Sequence, residues 1–293
     1  MYEEIIRPLL SEKRFRHSVN VSKSAGQLAI KYGADVEKAK VAGMLHDIMK
    51  EKTPEEYEKL VQDFGVKLDE FQISAKKLLH AVIGSKYVEK VLGINDSDIL
   101  NAVRYHTTGR SGMSKLEKII FIADCISEDR DYKGVDEMRK LADKSLDEAM
   151  LAGLKDSIEI LTESEKPIHT DIFNAYNEFA FKLKSKKNKN TKDILNRICE
   201  ILDKKKAINV NVACIKDISA FTDYFIFASG TSTTHVKALA DEVKFKLKEE
   251  GIFPRKKDEY SESWILLDYG DIIVHIFTEE TRKLYNIEEL WNK

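Results

Sequence analysis

The sequence is poor in cysteine and proline, with three cysteines and four prolines in 293 residues. Cys125, Cys199 and Cys214 lie far apart and form no CxxC pair, so we expect neither a disulfide framework nor a thiolate zinc site. No apolar run approaches the roughly 18 residues that a membrane helix needs. The N-terminus MYEEIIRPLL carries acids where a signal peptide carries bases. These absences predict a soluble, cytoplasmic protein with no membrane partner.

A strong net charge is also absent. The 48 Lys and Arg residues nearly balance the 50 Asp and Glu residues, which leaves a net charge of -2 with the histidines neutral. No global field therefore draws the chain to nucleic acid or to anionic lipid, and any such partner must be reached through a local patch. The length predicts about two domains, each long enough to bury its own core.

The hydrophobic period changes partway along the chain. From Glu3 to about Lys184 the apolar spacing is helical almost throughout, as in SLDEAMLAGLKDSIEIL. After Lys206 the segments INVNVACI, YFIFAS, SWILLDYG and DIIVHIFT are typical of strands. Between them, TSTTHVKALADEVKFKLKEEG predicts a capped amphipathic helix ending at Gly251. The chain is thus expected to be all-α in its first half and α+β or α/β, with a small mixed sheet, in its second.

A basic polar run separates the two halves. The segment KLKSKKNKNTKD, Lys182 to Asp193, has no large apolar residue after Leu183, and we place a domain boundary there. The boundary divides a domain of residues 1–186 from a domain of residues 192–293. The alternative is one solvated helix that continues into DILNRICEILDKKK, which would still leave two domains.

Buried-looking titratable groups recur in the helical half. Asp47 follows His46 directly in VAGMLHDIMK, where the apolar neighbours have helical spacing, and Asp124 lies in the apolar IIFIADCI. A lone histidine on an apolar face is more often a satisfied core residue than a ligand. Six such groups in one core need mutual compensation, and a divalent metal supplies it best because imidazole and carboxylate both ligate. The six are His17, His46, Asp47, His80, His106 and Asp124.

The ordered series H…HD…H…H…D, with the flanking segments KRFRHS, LHDIMK, YHTTG and IADCISEDR, resembles the HD-domain metal-dependent phosphohydrolases. Within these it resembles the YqeK type, the symmetrical diadenosine tetraphosphate hydrolases, from about Tyr2 to Leu183. The resemblance implies an all-α HD-domain that cleaves diadenosine tetraphosphate into two ADP. It also implies that iron, or another divalent transition metal, is bound by His17, His46, Asp47 and Asp124.

The same resemblance implies further site residues. His80 and His106 either face the substrate phosphates or hold a second metal ion. The implied substrate-binding residues are Lys50, Thr107, Arg130, His169, Thr170 and Asn174. The lysine and the arginine among them would neutralise a polyphosphate. The segment PIHTDIFNAYN would begin a helix whose free backbone N–H groups could hold a phosphate.

The second half resembles a different family. The segments TDYFIFASGTSTTHVKALADEV, WILLDYGDIIVHIF and YNIEELW are similar to the ribosomal silencing factors, RsfS or Iojap, from about Lys192 to the C-terminus. This implies an α+β mixed-sheet module, commonly dimeric, that docks on the large ribosomal subunit and blocks its joining to the small one. Aromatic residues concentrate binding energy, so Trp264, Tyr269 and Trp291 are candidate anchors of the ribosome or dimer interface. Burial in the sheet's own core is an equal alternative for them.

These features together predict a fusion of a nucleotide hydrolase with a ribosome-binding module. One alternative is that the HD site acts on nucleoside monophosphates or guanosine polyphosphates, because the metal chemistry is shared while the pocket decides the substrate. Another is that the whole chain is a ribosome-associated regulator whose HD site senses nucleotides without turning them over. Turnover by the purified protein separates these alternatives.

Overall fold

A computed structural model of the chain divides into two compact units, Met1–Leu183 and Lys184–Lys293. The structure describes residues 2–75, 78–255 and 259–291. In these ranges the first unit is built from helices and the second contains a mixed sheet, which confirms the predicted fold class. No helix in the same ranges is long and apolar enough to cross a membrane.

The N-terminal unit is an assembly of helices, several of which begin at a side-chain cap. Ser11, Asp35 and Ser114 cap three of the helices through side-chain hydrogen bonds to free backbone N–H groups. A short 3-10 helix, Arg7–Leu9, follows the first α-helix. The α-helices are α1 (Tyr2–Ile6), α2 (Glu12–Tyr32), α3 (Val36–Leu45), α4 (Pro54–Phe64), α5 (Glu70–Ser74), α6 (Leu79–Lys90), α7 (Ser97–Tyr105), α8 (Lys115–Ile126), α9 (Val135–Lys144), α10 (Leu146–Glu163) and α11 (Thr170–Lys204).

Two apolar clusters hold this unit together. The larger is centred on α8, where Ile119, Ile120 and Ile122 are fully buried against α2, α7 and α10. The smaller contains Leu45 and Ile48, together with side chains of α6 and α7. His46 and Asp47 lie between these two buried anchors, so packing on both sides fixes the position of the pair.

The His46-Asp47 pair lies just beyond a helix, and the expectation that it sits inside one was wrong. Helix α3 ends at Leu45, His46 is its C-cap residue, and residues 47–51 form turns. Ile48 N donates to Leu45 O at 3.1 Å and Lys50 N donates to Asp47 O at 2.8 Å, which are the tighter bonds that often finish a helix. The change of direction at this point turns both side chains toward the other helices.

Helix α11 includes the whole basic run, residues 182–193, without interruption. The alternative of one continuous helix is therefore what the structure has. Thr191 is buried within the run, and its hydroxyl donates to Lys187 O at 3.0 Å. The two units still divide at Leu183, inside this helix. The domain limits 1–186 and 192–293 stay predictions.

The C-terminal unit contains a five-stranded sheet within the described residues. The strands are β1 (Ile208–Cys214), β2 (Tyr224–Gly230), β3 (Glu259–Ser261), β4 (Trp264–Asp268) and β5 (Ile272–Thr278). Their order is β1-β2-β5-β4-β3, in which β2 and β5 are parallel and the other neighbours antiparallel. Strand β3 is one more than the four strands predicted.

Helices cover both faces of this sheet. Helix α12 (Thr233–Glu249) begins at the Ser232 cap and provides the crossover that the parallel pair requires. Leu239 and Val243 of α12 pack with Ile201 of α11 and Val274 of β5 in the main core of the unit. On the opposite face lie α13 (Glu279–Tyr285) and the 3-10 helix Ile287–Leu290, beside a smaller aromatic cluster.

Candidate metal centre and active site

Six predicted site residues of the helical unit converge on one place, although no more than two are neighbours in the sequence. The aspartate of α8 keeps 22% of its side chain exposed, and the other five side chains are almost completely buried. Each element therefore contributes one or two polar groups to an otherwise apolar core. The residues are His17 of α2, His46 and Asp47 after α3, His80 of α6, His106 after α7 and Asp124 of α8.

Asp47 is the centre of this cluster. Its Oδ1 lies 3.2 Å from His80 Nε2 and 3.4 Å from His106 Nε2. Its Oδ2 lies 3.5 Å from His46 Nε2. Three overlapping groups have all their potential ligand atoms within 4.8 Å of one another: His17, His46 and Asp47; His46, His106 and Asp124; and Asp47, His80 and His106. The donor atoms are thus close enough together to surround a metal ion.

Three buried polar atoms in this cluster have no hydrogen-bond partner in the described part of the chain: His17 Nε2, His46 Nε2 and Asp47 Oδ1. Leaving such an atom unpaired costs about 1–3 kcal/mol. The Nδ1 atom of His46 is already used, because it donates to Gly43 O at 2.7 Å. Burial opposes protonation of His46, but Asp47 and Asp124 raise its pKa in the metal-free cluster. Once a cation displaces that proton, the lone pair of the imidazole lies on Nε2, toward the cluster. This set of imidazole and carboxylate donors fits a divalent transition metal.

The protonation states also suit a cation. Burial alone would raise the pKa of Asp47, but His46 and the close imidazoles of His106 and His80 hold it well below its ordinary value. Burial likewise opposes ionisation of Asp124, yet His17, His46 and Arg130 keep its pKa far below the usual range. Burial lowers the pKa of His80 to about 4. The site therefore combines ionised carboxylates with a neutral imidazole, as metal coordination requires.

Three of the predicted substrate-binding residues, Lys50, Thr107 and Arg130, lie at the cluster. Lys50 Nζ is 3.0 Å from His80 Nε2 and 3.6 Å from Asp47 Oδ1. Arg130 Nε donates to the main-chain oxygen of Asp124 at 2.8 Å, and its guanidinium also pairs with the Asp124 carboxylate. Thr107 Oγ1 lies 3.3 Å from His80 Nε2. These partly exposed groups place positive charge and a hydroxyl beside the buried carboxylates.

Two further residues of the cluster were missed in the sequence. Arg14 Nη1 donates to Asp47 Oδ2 at 2.8 Å. Asp129 Oδ2 accepts from His17 Nδ1 at 2.8 Å, and Asn20 Nδ2 donates to the other oxygen of Asp129 at 3.0 Å. A signal for Arg14 was available, because it lies one helical turn before His17. Asp129 follows α8, and only the fold brings it to α2.

The other three predicted substrate residues make no contact with the cluster among the described side chains. The His169 ring packs edge-on against Phe71, with 4.9 Å between ring centroids, and His169 Nδ1 accepts from the backbone N–H of Asp171 at 3.1 Å. Thr170 begins α11, and both it and Asn174 are exposed. Their part in substrate binding stays a prediction.

The aromatic candidates of the C-terminal unit are half-buried. Trp264 stacks on Phe277 with 5.1 Å between ring centroids, and its Nε1 donates to His275 Nδ1 at 3.3 Å. Trp291 lies 5.3 Å from the Phe225 ring, and Tyr269 packs against the main core. Each of the three therefore contributes to its own unit, and an interface role for them stays a prediction.

A helical unit that gathers histidines and aspartates from several helices, joined to a mixed-sheet unit, defines an HD-domain hydrolase with a second module. The HD domain family profile matches residues 14–129, and the profile of the ribosomal silencing factor during starvation, RsfS, matches residues 188–293. The N-terminal unit belongs to the family of symmetrical bis(5'-nucleosyl)-tetraphosphatases. The C-terminal unit belongs to the ribosomal silencing factor family RsfS. Both resemblances seen in the sequence are thereby confirmed.

Individual relatives support both assignments. The symmetrical bis(5'-nucleosyl)-tetraphosphatase of Halalkalibacterium halodurans is 38% identical over 181 residues, which are 62% of this chain and 96% of that protein. RsfS of Bacillus subtilis is 37% identical over 103 residues, which are 35% of this chain and 87% of that protein. The crystal structure of a predicted HD superfamily hydrolase involved in NAD metabolism from Clostridium acetobutylicum is 39% identical, with a TM-score of 0.60, and covers 62% of this chain and 96% of its own.

Proposed function

We propose that the N-terminal unit hydrolyses diadenosine tetraphosphate symmetrically to two ADP and depends on a divalent transition metal, iron in the first place. Two observations on His17, His46 and Asp47 carry this proposal. Each has a buried polar atom without a hydrogen-bond partner among the described residues, and each offers one ligand atom within 4.8 Å of those of the other two. The proposed substrate is taken from the relatives, which are named symmetrical bis(5'-nucleosyl)-tetraphosphatases. The proposed ligands are His17, His46, Asp47 and Asp124, and His80 and His106 bind a second ion or a phosphate.

A divalent cation bound there supplies Lewis-acid activation of water and of a phosphoryl oxygen. The protein's part is to bind and orient the polyphosphate. Arg14 and Lys50 both reach Asp47, whereas Arg130 reaches Asp124. Positive charge is thus available beside two different ligands, which suits a substrate with phosphates on each side of the bond to be cleaved. The hydroxyl of Thr107 and the proposed contacts of His169, Thr170 and Asn174 would add uncharged hydrogen bonds.

For the C-terminal unit we propose binding to the large ribosomal subunit, which would block joining of the small subunit. Trp264, Tyr269 and Trp291 are the proposed anchors at this interface or at a homodimer interface. Large apolar side chains beside them support a docking surface, because Leu284 and Leu290 are 76% and 68% exposed. This function would place the protein in the cytoplasm.

The hydrolase proposal is tested by product analysis on full-length protein loaded with iron under anaerobic conditions. Diadenosine tetraphosphate should yield ADP alone in early time points. ATP and AMP in equal amounts would contradict symmetrical cleavage, and turnover confined to nucleoside monophosphates or guanosine polyphosphates would favour that alternative. Binding without turnover of any nucleotide would favour the regulator alternative. Elemental analysis should find the metal in the wild type and not in Asp47→Asn.

The ribosome proposal is tested by co-sedimentation of the full-length protein with purified large subunits and by light scattering of subunit joining. Wild type and Asp47→Asn should both sediment and both suppress joining, because the metal cluster belongs to the other unit. Trp264→Ala should weaken binding by about 2 kcal/mol or more, as truncation of an interface anchor does. A folded wild-type protein that stays in the supernatant would contradict the proposal.

A further inference from the structure

Helix α11 presents lysines that have no ion-pair partner in the described part of the chain. Residues 182–192 contain six lysines and no acidic residue. Lys182 pairs with Asp147, and Lys187 pairs with Asp271. The other four are exposed and make no ion pair within residues 2–75, 78–255 and 259–291. We call these four the lysine face: Lys184, Lys186, Lys189 and Lys192.

The side of the helix opposite Lys186, Lys189 and Lys192 is attached to its own unit. Lys187 Nζ lies 3.0 Å from Asp271 Oδ2, Lys216 Nζ donates to Asn188 Oδ1 at 2.6 Å, and Thr191 is buried. The last three lysines of the lysine face follow one another at three-residue intervals, which brings neighbouring side chains along one side of a helix. Packing of α11 on the C-terminal unit therefore holds these three lysines toward solvent, and Lys184 is exposed just before the attached residues.

The composition around the lysine face selects the kind of partner. A helix that lies on a lipid surface needs an apolar stripe beside its basic one. Residues 184–192 contain no Leu, Ile, Val, Phe, Met, Trp or Tyr, and the exposed Phe181 that precedes them is a single side chain rather than an apolar stripe. A nucleic-acid backbone requires only spaced cations. Because the whole chain has a net charge of -2, this local excess of lysine is what would attract such a polyanion.

We propose that the lysine face binds the phosphate backbone of ribosomal RNA. The inference rests on the proposed binding of the C-terminal unit to the large ribosomal subunit and adds an RNA contact to it. Neutralising phosphates releases counterions, so the logarithm of the affinity should fall with the logarithm of the salt concentration by about 0.7 per phosphate on a single strand. Contacts from all four lysines would give a slope of about -3.

The test replaces all four lysines by glutamine in the full-length chain, because glutamine and lysine have nearly equal helix propensity. The control replaces four exposed helical lysines of the N-terminal unit by glutamine: Lys59, Lys140, Lys144 and Lys155. The probe is a fluorescein-labelled single-stranded RNA of mixed sequence, followed by anisotropy from about 50 to 200 mM potassium chloride. Wild type and control should show the steep slope, whereas the lysine-face variant should bind at least about tenfold more weakly with a slope near zero.

Unchanged RNA affinity in the lysine-face variant would overturn the inference. Stronger wild-type binding to vesicles containing phosphatidylglycerol than to the RNA would also overturn it, in favour of a lipid surface. Sedimentation with large subunits is measured in parallel. Failure of the wild type to sediment would contradict the ribosome proposal itself, whereas weaker sedimentation of the lysine-face variant, together with its loss of RNA affinity, would support the RNA contact.

Discussion

His17 is held between two carboxylates, with its Nδ1 2.8 Å from Asp129 Oδ2 and its Nε2 3.0 Å from Asp124 Oδ1. Burial disfavours ionised Asp129, but hydrogen bonds from Asn20 and His17 lower its pKa below the ordinary value. Asp129 is thus an acceptor that keeps a proton on Nδ1 of His17. Nε2 is the nitrogen left facing ionised Asp124, and His17 and Asp124 would both be available to hold a cation. We infer that Asp129 positions His17 as a metal ligand.

Asp129→Ala should weaken binding of Co²⁺ or Mn²⁺ by about 10–100-fold, because the partner that orients a ligating histidine is lost. Asp129→Asn should recover part of the affinity, since its amide oxygen can still accept from Nδ1. Competition with a chromophoric chelator gives the affinities, and the visible spectrum of the Co²⁺ protein should shift in the alanine variant. Asp131→Ala, an exposed neighbour, is the control. Wild-type affinity and spectrum in Asp129→Ala would refute the positioning role.

Arg14→Ala should raise KM for diadenosine tetraphosphate by about 10-fold or more, since a hydrogen bond to a charged group contributes about 1.5–3 kcal/mol. The metal content should be unchanged, because Arg14 contacts Asp47 from the partly exposed side, with 29% of its own side chain accessible. Arg16→Ala removes the same charge two residues away, where the side chain is 75% exposed and pairs with Glu12. That control should stay within about twofold of the wild-type KM. Loss of metal with an unchanged KM would show that Arg14 serves only as a structural partner of Asp47.

Two glycines of the helical unit should respond oppositely to alanine. A Cβ at Gly43 of α3 would lie 2.9 Å from Ser22 Cα, a backbone atom of α2 that cannot move alone, whereas at Gly26 of α2 it would meet only the flexible side chain of Lys40 at 3.2 Å. Gly43→Ala should cost about 1–2 kcal/mol of unfolding free energy, because overpacking outweighs the gain in helix propensity. Gly26→Ala should range from neutral to about 1 kcal/mol more stable.

Thermal unfolding by calorimetry measures both glycine variants. Helix α3 leads directly into His46 and Asp47, so Gly43→Ala should also weaken metal binding, and Gly26→Ala should not. Equal stability of the two variants would mean that the close approach of α2 and α3 is not tight in solution.

The site was predictable where the sequence places an acidic residue inside an apolar segment. Asp47 and Asp124 interrupt apolar segments, so their need for compensation was visible without the fold. Asp129 lies in a polar loop, where an acid is ordinary, and its importance comes from the approach of that loop to α2. The proposed ligands could thus be predicted from their local sequence, whereas the residues that orient them could be found only from the tertiary structure.

Helix α11 continues through the basic run for a reason that can be read from the sequence. No glycine or proline occurs between Ile168 and Ser229, and lysine is a good helix former. High charge is typical of a linker between domains, but the absence of helix breakers favours a continuous helix. Strand β3 was missed for the opposite reason, because three polar or aromatic residues, Glu259–Ser261, carry no alternation long enough to indicate a strand.

His275 makes the stability of the C-terminal unit sensitive to acid. It is 5% exposed on β5, stacked between Phe227 and Phe277, and burial lowers its pKa to about 4 from the ordinary 6.5. The unfolded chain therefore binds more protons than the folded one between these two values. The contribution of His275 to the free energy of unfolding is complete above about pH 6.5 and is lost as the pH falls toward 4. It totals about 3 kcal/mol.

His275→Phe should remove this acid sensitivity, because a phenyl ring fills the stack and cannot take up a proton. The variant should be less stable than the wild type at pH 7, since Trp264 Nε1 loses its acceptor. The difference should shrink or reverse as the pH falls to about 4.5, because only the wild type then has to expel a proton to fold. Both tryptophans of the chain, Trp264 and Trp291, belong to this unit, so urea unfolding followed by tryptophan fluorescence reports it without the helical unit. A constant free-energy difference between the two proteins across this pH range would show that His275 is not what titrates.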